Sequence, residues 1–221
     1  MSETLEGAAI IGQSGGPTAV INQSLVGLVE GLGRLGQVTR ILGMRHGVAG
    51  LVRGETIDLG GMTVTALEAV ARTPSAALGS TRDKPDEEYC RRIADVCGEL
   101  GVRYFFYIGG NDTADACRIV SESARRAGSE MRCFHVPKTV DNDLMESDHT
   151  PGYPSAARFV ATAFMADARD NASLPGIKVN VVMGRHAGFL TAAAALARRD
   201  ENDGPHLVYL PETPFDTDRF V

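Results

Sequence analysis

Short apolar runs alternate along the chain with segments in which apolar residues recur at helical spacing. The runs with the length and composition of β-strands are residues 8–11, 38–42, 104–108, 134–136, 179–183 and 207–210. Helical spacing marks residues 19–35, 64–72, 85–100 and 153–172, and also the segments after Thr113 and after residue 188. Residues 43–61 are rich in glycine and predict irregular structure. The alternation predicts an α/β fold of three layers, with a mostly parallel sheet covered by helices on both faces.

Glycines or charged residues follow several of the predicted strands. Gly15, Gly109, Lys138 and Gly184 each lie in the loop after one of them. Parallel sheets bind ligands outside the carboxyl ends of their strands, so we expect these four loops to converge on one edge. The turn at residues 12–18 matches neither common phosphate-binding fingerprint and is by itself equally consistent with a plain tight turn.

The stretch from Tyr104 to Asp143 carries the strongest chemical signal. Its glycine pair at residues 109–110 lets backbone N–H groups approach an anion, and Thr113 is predicted to cap the helix that follows. The loop at residues 137–143 adds one lysine and three carboxyl or amide groups. Glycines, a cation and carboxylates at adjacent strand ends indicate phosphoryl transfer with a divalent metal.

Composition narrows the possible partners and location. Of the 221 residues, 43% are hydrophobic and 23% charged, and the net charge is −6 with no dominant basic run. This predicts a protein with a real core and no nucleic-acid surface. The sequence shows no membrane span and no signal-like N-terminus, so we expect a cytoplasmic location. The four cysteines have no metal-type spacing and are interpreted as reduced packing residues.

Three motifs carry a resemblance to a known family. Residues 109–113 (Gly-Gly-Asn-Asp-Thr), 137–143 (Pro-Lys-Thr-Val-Asp-Asn-Asp) and 183–188 (Met-Gly-Arg-His-Ala-Gly) resemble the phosphofructokinases, and more narrowly their pyrophosphate-dependent branch. The resemblance runs from about residue 8 to the end of the chain. It implies one phosphofructokinase-like domain over residues 1–221, Mg²⁺ as cofactor, and a homo-oligomer. The implied reaction moves a phosphoryl group from pyrophosphate to the 1-hydroxyl of fructose 6-phosphate, and we expect it to be reversible.

The same resemblance implies roles for individual residues. Asp141 matches the general base, which takes the proton of the sugar hydroxyl, and Lys138 and Arg185 match the other catalytic positions. The implied sugar-phosphate contacts are Thr139, Asp141, Asp143, Met183, Gly184 and Arg185. The implied donor contacts are Gly15, Gly16, Arg82, Gly110, Asp112 and Lys138, with Tyr107 closing the donor side. The implied metal positions are Asn111 and Asp112.

Two of these positions divide the family by phosphoryl donor. ATP-using members carry glycine where Asp112 stands and usually where Lys138 stands. Glycine leaves room for the nucleotide, whereas an aspartate fills that room and repels its α-phosphate. A lysine offers an ammonium to the oxygens of a donor without a nucleoside. The pair therefore favours pyrophosphate over ATP.

Other positions depart from the family pattern. Asn111 stands where many members have a metal-linked aspartate, so we expect weaker Mg²⁺ binding. Gly176 replaces an arginine, and the resemblance does not decide whether Lys178 takes its place. A helix predicted to be capped by Asp216 begins at the end of the sequence, so we expect a partial chain. The alternatives are an ATP-dependent enzyme, a non-catalytic regulatory subunit, and a generic dinucleotide-binding domain.

Overall fold

The computed structural model of the chain describes residues 5–220. It divides into two compact units, residues 1–138 and 139–221, and each is described by itself. Among the described residues, no helix combines the length and the apolar character that a membrane crossing requires.

The first unit is built on a five-stranded sheet. Its strands are β1 (Gly7–Gln13), β2 (Val38–Met44), β3 (Thr56–Asp58), β4 (Val102–Gly109) and β5 (Arg132–Pro137). Their order is β3-β2-β1-β4-β5, and every pairing is parallel except that of β3 with β2. Gly109 pairs with Pro137 in register, so β4 and β5 end side by side. The mostly parallel sheet is confirmed.

Helices cover both faces of this sheet. They are α1 (Ile21–Leu32), α2 (Gly47–Val52), α3 (Val64–Arg72), α4 (Glu87–Glu99) and α5 (Asn111–Arg126). One core cluster buries apolar side chains of α1 and α3 against the sheet, including Leu25 and Leu67. The other buries those of α2, α4 and α5, including Leu51, Ile93 and Val120. The three-layer prediction is therefore confirmed in the first unit.

The prediction of irregular structure for residues 43–61 is wrong. The segment contains α2 and the short strand β3. Val48 and Leu51 of α2 are buried in the core, and β3 pairs antiparallel with the end of β2. Burial of a few apolar side chains decides the structure here, and the many glycines conceal that pattern in the sequence.

The second unit is mainly helical. It contains α6 (Tyr153–Ala172), α7 (Phe189–Ala193), a 3₁₀ helix (Ala194–Ala197) and α8 (Thr217–Phe220). The helix α6 packs against α7 and the 3₁₀ helix. The Asp216 carboxylate accepts the backbone N–H groups of Asp218 and Arg219, which confirms the predicted cap.

The strands predicted at residues 179–183 and 207–210 are not present. Neither segment belongs to a strand, and most of their apolar side chains are exposed, with Val181 at 95%. A strand is stable only when a neighbour completes its backbone hydrogen bonds, and within residues 5–220 no strand pairs with either segment. Their composition therefore predicts a strand that this part of the chain does not form.

Candidate active site

The turn after β1 is fixed to the segment that precedes Arg82. Gly15 has φ of +76°, a left-handed conformation that favours glycine. Its N–H donates to the Thr81 carbonyl at 2.9 Å, and its carbonyl accepts the Ser80 hydroxyl at 2.6 Å. The Ser14 N–H donates to the Ile108 carbonyl at 2.9 Å. These bonds join the glycine turn to both the residue 80 loop and the end of β4.

Two buried amide side chains hold this arrangement from within. Gln13 is fully buried; its Nε2 donates to Asn22 Oδ1 at 2.9 Å and its Oε1 accepts the Leu78 N–H at 2.9 Å. Asn22 donates to the Thr73 carbonyl at 2.8 Å and accepts the Ala77 N–H at 2.9 Å. The network fixes residues 73–78 against β1 and α1. Neither residue was predicted from the sequence, although a polar side chain at the end of an apolar strand was a usable signal.

Lys138 lies directly beside the glycine turn. Its side chain reaches from the end of β5, and Nζ donates to the Gly16 carbonyl at 2.7 Å. Nζ lies 3.2 Å from the position that a Cβ on Gly15 would occupy, and the residue is 3% exposed. Arg82 approaches the same turn, with a guanidinium nitrogen 3.5 Å from the position of a Cβ on Gly16. Two cations thus lie beside Gly15 and Gly16, which have no side chains.

The helix α5 begins at the neighbouring strand end. Gly110 is its N-cap and Asn111 its first residue, so the prediction that Thr113 caps the helix is wrong. Thr113 instead is buried in the first turn, where its side chain packs on Gly109 without room for a Cβ there. The partly positive N-terminus of α5 lies at the carboxyl end of β4, where an anion would be stabilised.

Asp112 projects from the first turn of α5 to a cation that the sequence analysis missed. Lys84 Nζ lies 3.1 Å from Asp112 Oδ1, and both side chains are largely exposed. An exposed ion pair of this kind contributes little to stability. Its effect is to place a third cation next to the loop that carries Arg82. The only signal in the sequence was a lysine two positions after that arginine.

Tyr107 lies beneath the glycine turn rather than at its surface. It is buried, and its hydroxyl is 3.5 Å from the Val48 N–H, which donates to it. Burial raises the pKa of Tyr107, and a hydrogen bond with Ser14 acts in the opposite direction. A neutral phenol in this position supports the turn from below.

In the second unit, the loop of residues 139–143 is held by short-range hydrogen bonds. Thr139 Oγ1 accepts the Asp141 N–H at 3.1 Å and donates to Asp143 Oδ1 at 3.3 Å. Asn142 is buried in a left-handed conformation, with φ of +57°. Its Oδ1 accepts the Thr150 N–H at 2.8 Å and its Nδ2 donates to the Asp148 carbonyl at 3.0 Å. The structural role of Asn142, which fixes Asp141 and Asp143 on either side of it, was not predicted.

The loop of residues 183–188 supplies the other charged group of this unit. Arg185 has φ of +52°, and its Nη2 lies 3.9 Å from Asp143 Oδ2. Gly184 has φ of +146°, and a Cβ there would meet the Ala187 carbonyl. Met183 is exposed. The structure thus brings the two predicted segments together within the second unit, although residues 179–183 are not a strand.

Lys178 is engaged by α6. Its ammonium pairs with Asp167 and lies 3.3 Å from Asp170 Oδ2. The hydrogen bond that the Asp167 carboxylate accepts from Lys178 lowers the pKa of Asp167. The lysine that lies nearest in sequence to Gly176 therefore has two carboxylate partners in this structure.

These contacts define two groups of predicted site residues. The first unit brings together Gly15, Gly16, Arg82 and Lys138 beside the first turn of α5, which carries Asn111 and Asp112. The second unit brings together Thr139, Asp143 and Arg185 around the loop that carries Asp141. Within the described residues, no cluster of three or more His, Cys, Asp or Glu side chains is arranged to hold a metal ion.

Comparison with known proteins decides the family. A profile described as "Phosphofructokinase" matches residues 8–221. The chain belongs to the phosphofructokinase family. It is 56% identical over 216 residues to a protein of Rhodospirillum rubrum named pyrophosphate–fructose 6-phosphate 1-phosphotransferase, covering 98% of this chain and 54% of that protein. A protein of the same name from Halomonas elongata is 41% identical, with 94% and 52% covered.

A solved structure gives the same result. The crystal structure of a pyrophosphate-dependent phosphofructokinase from Marinobacter aquaeolei superposes with a TM-score of 0.85 at 37% identity. The match covers 97% of this chain and 55% of that one. The phosphofructokinase-like fold is therefore confirmed. The chain spans about half the length of the family members that it matches.

Proposed function

We propose that the chain takes part in phosphoryl transfer from pyrophosphate to the 1-hydroxyl of fructose 6-phosphate. The products are fructose 1,6-bisphosphate and phosphate. One observation carries the proposal: the Lys138 ammonium lies against the Gly15–Gly16 turn, in the same unit as Asp112 at the start of α5. The names of the relatives from R. rubrum and H. elongata support the same reaction.

The charge of this region suits a small, highly charged donor. Lys138, Arg82 and Lys84 are cations, and the backbone of Gly110 opens the positive end of α5. Pyrophosphate offers oxygens to all of them at once because it is short and carries several negative charges. Asp112 is the proposed filter, since its carboxylate would repel the α-phosphate of a nucleotide.

The second unit is proposed to supply the base and the sugar contacts. Asp141 would accept the proton of the 1-hydroxyl as that oxygen attacks phosphorus, with its backbone held by Thr139. Arg185 would pair with the phosphate of the sugar and with the developing charge. The remaining proposed contacts to the sugar phosphate are Thr139, Asp143, Met183 and Gly184.

Mg²⁺ is the proposed cofactor, held by Asp112 and Asn111. The residues fit a metal that shares its coordination with substrate phosphates, because one carboxylate and one amide are adjacent at the start of α5. They do not form a site made of protein ligands alone. When bound, the ion would neutralise charge on the transferred phosphoryl group. Asp112 would exchange its exposed contact with Lys84 for the ion.

We further propose that both units form one phosphofructokinase-like region over residues 1–221, and that the protein is a cytoplasmic homo-oligomer. The family match over residues 8–221 supports the single region. Analytical ultracentrifugation of the complete gene product tests the oligomer, and a single monomeric species would contradict it.

A donor panel tests the proposed activity. The complete gene product is assayed for fructose 1,6-bisphosphate with pyrophosphate, ATP or inorganic phosphate as donor, each with Mg²⁺. Product should form rapidly with pyrophosphate alone. Asp141→Asn is the matched control, since it keeps the shape of the side chain and removes its basicity. Equal rates for Asp141→Asn and the unmodified enzyme would contradict the proposed role of Asp141.

A further inference from the structure

Two thiols line a cavity formed by residues of α5 and β5. It has a volume of about 390 Å³ and is lined by residues of α5 and β5, among them Cys117, Ser121, Cys133 and His135. Cys117 lies in the second turn of α5 and Cys133 near the start of β5. Both are free thiols. The role predicted for them from the sequence is packing alone.

The two thiols lie within hydrogen-bond reach of each other. The Cys133 thiol donates to Cys117, and this bond lowers the pKa of Cys117. The same interaction raises the pKa of Cys133, together with burial. The hydrogen bond thus favours the thiolate form of Cys117 and the thiol form of Cys133. This division of roles is that of an attacking thiolate beside a resolving thiol.

The other two cysteines of the chain lie outside the cavity. Cys90 and Cys97 are fully buried in the core, and neither lines the cavity. Burial raises the pKa of Cys97 to about 12 and that of Cys90 to about 11. Their raised pKa values keep both thiols protonated, so they provide an internal comparison.

We propose that Cys117 and Cys133 are a modification site at which a hydroperoxide forms a reversible disulfide between α5 and β5. The Cys117 thiolate attacks one peroxide oxygen, the O–O bond breaks, and an alcohol or water leaves, so that Cys117 becomes a sulfenic acid. The Cys133 sulfur then attacks the Cys117 sulfur, the S–O bond breaks, and hydroxide leaves with the Cys133 proton as water. Two thiols are oxidised and one peroxide is reduced.

The site is connected to the end of β4. His135 lines the same cavity, and its Nε2 lies 2.8 Å from the Gly109 carbonyl, which also accepts the Lys138 N–H at 3.0 Å. A disulfide between Cys117 and Cys133 would tie α5, which begins just after Gly109, to β5, which carries His135 and ends just before Lys138.

Peptide mapping of the oxidised protein tests the proposal. The complete gene product is reduced, freed of reductant, treated with stoichiometric hydrogen peroxide, blocked with N-ethylmaleimide and digested with trypsin without reduction. Cys117 and Cys133 lie in the separate peptides 104–118 and 133–138, and Cys97 lies in 93–103. We expect a linked pair of the first two peptides that dithiothreitol separates, with Cys97 unmodified. Conversion of Cys117 to sulfinic acid without the linked pair, or a link to Cys97, would overturn the proposal.

A variant separates the two thiol roles. Cys133→Ser keeps nearly the same size and removes the resolving sulfur, so dimedone should trap several-fold more sulfenic acid at Cys117 than in the unmodified protein. Equal trapping would contradict a resolving role for Cys133. Circular dichroism checks that Cys133→Ser folds. If the variant does not fold, the peptide mapping of the unmodified protein alone decides whether the Cys117–Cys133 disulfide forms.

Discussion

Removal of the Lys138 ammonium should weaken pyrophosphate use strongly and selectively. Nζ is 2.7 Å from the Gly16 carbonyl in a residue that is 3% exposed, so water cannot readily replace the charge. A charge-assisted contact in such a place is worth about 2–4 kcal/mol. Lys138→Ala should therefore lower kcat/KM for pyrophosphate about 30- to 900-fold. The KM for fructose 6-phosphate should change far less.

Asp112→Gly should shift the donor preference towards ATP. The side chain is exposed and its pairing with Lys84 contributes little, so the fold should be retained. ATP use should rise from near zero, while pyrophosphate use falls only partly. The double variant should shift preference towards ATP further than either change alone, and the two effects need not add because both residues act on one ligand.

The assay is kcat/KM for both donors in the four forms of the complete gene product. Lys84→Ala is the matched control, because it removes the cation partner of Asp112 and leaves the carboxylate in place. It should gain no ATP activity. If the unmodified enzyme already uses ATP as well as pyrophosphate, the pair is no donor filter and the reasoning is refuted.

Four further results are expected. Asp141→Ala should lower kcat by about 10²–10⁴ with an unchanged circular dichroism spectrum, and near-normal turnover would exclude it as the base. Gly15→Ala should raise the KM for pyrophosphate, since φ is +76° and the new Cβ would lie 3.2 Å from Lys138 Nζ; an unchanged KM would contradict the close approach. Asn111→Asp should lower the Mg²⁺ concentration for half-maximal activity, measured by titration, and activity in excess chelator would refute the metal role. The isolated 221-residue chain should self-associate in sedimentation experiments, because large apolar side chains such as Phe159 are 74% exposed; a monodisperse monomer would contradict this.

The fold of the first unit was predictable because its signals are local and consistent. Continuous apolar runs gave β1, β2, β4 and β5, and helical spacing gave α1, α3 and α4, with ends displaced by a few residues. The segment that contains α2 and β3 was missed since its apolar residues are few and its glycines many. Only contacts with distant parts of the chain make it regular.

In the second unit the error is a predicted strand that the structure does not contain. Residues 179–183 have strand composition, yet a strand depends on its neighbour as much as on itself, and composition cannot report a neighbour. Motifs predict site roles for Lys138, Asp141 and Arg185, and these roles stay predictions. Gln13, Asn22 and Asn142 were missed because a buried hydrogen-bonding role depends on three-dimensional contacts.

The most direct test of the central claim is ³¹P NMR of the complete gene product with pyrophosphate, fructose 6-phosphate and Mg²⁺. We expect pyrophosphate to disappear while phosphate and the 1-phosphate of fructose 1,6-bisphosphate appear in equal amounts. Loss of pyrophosphate with phosphate as the sole product, or no change until ATP is added, would contradict it.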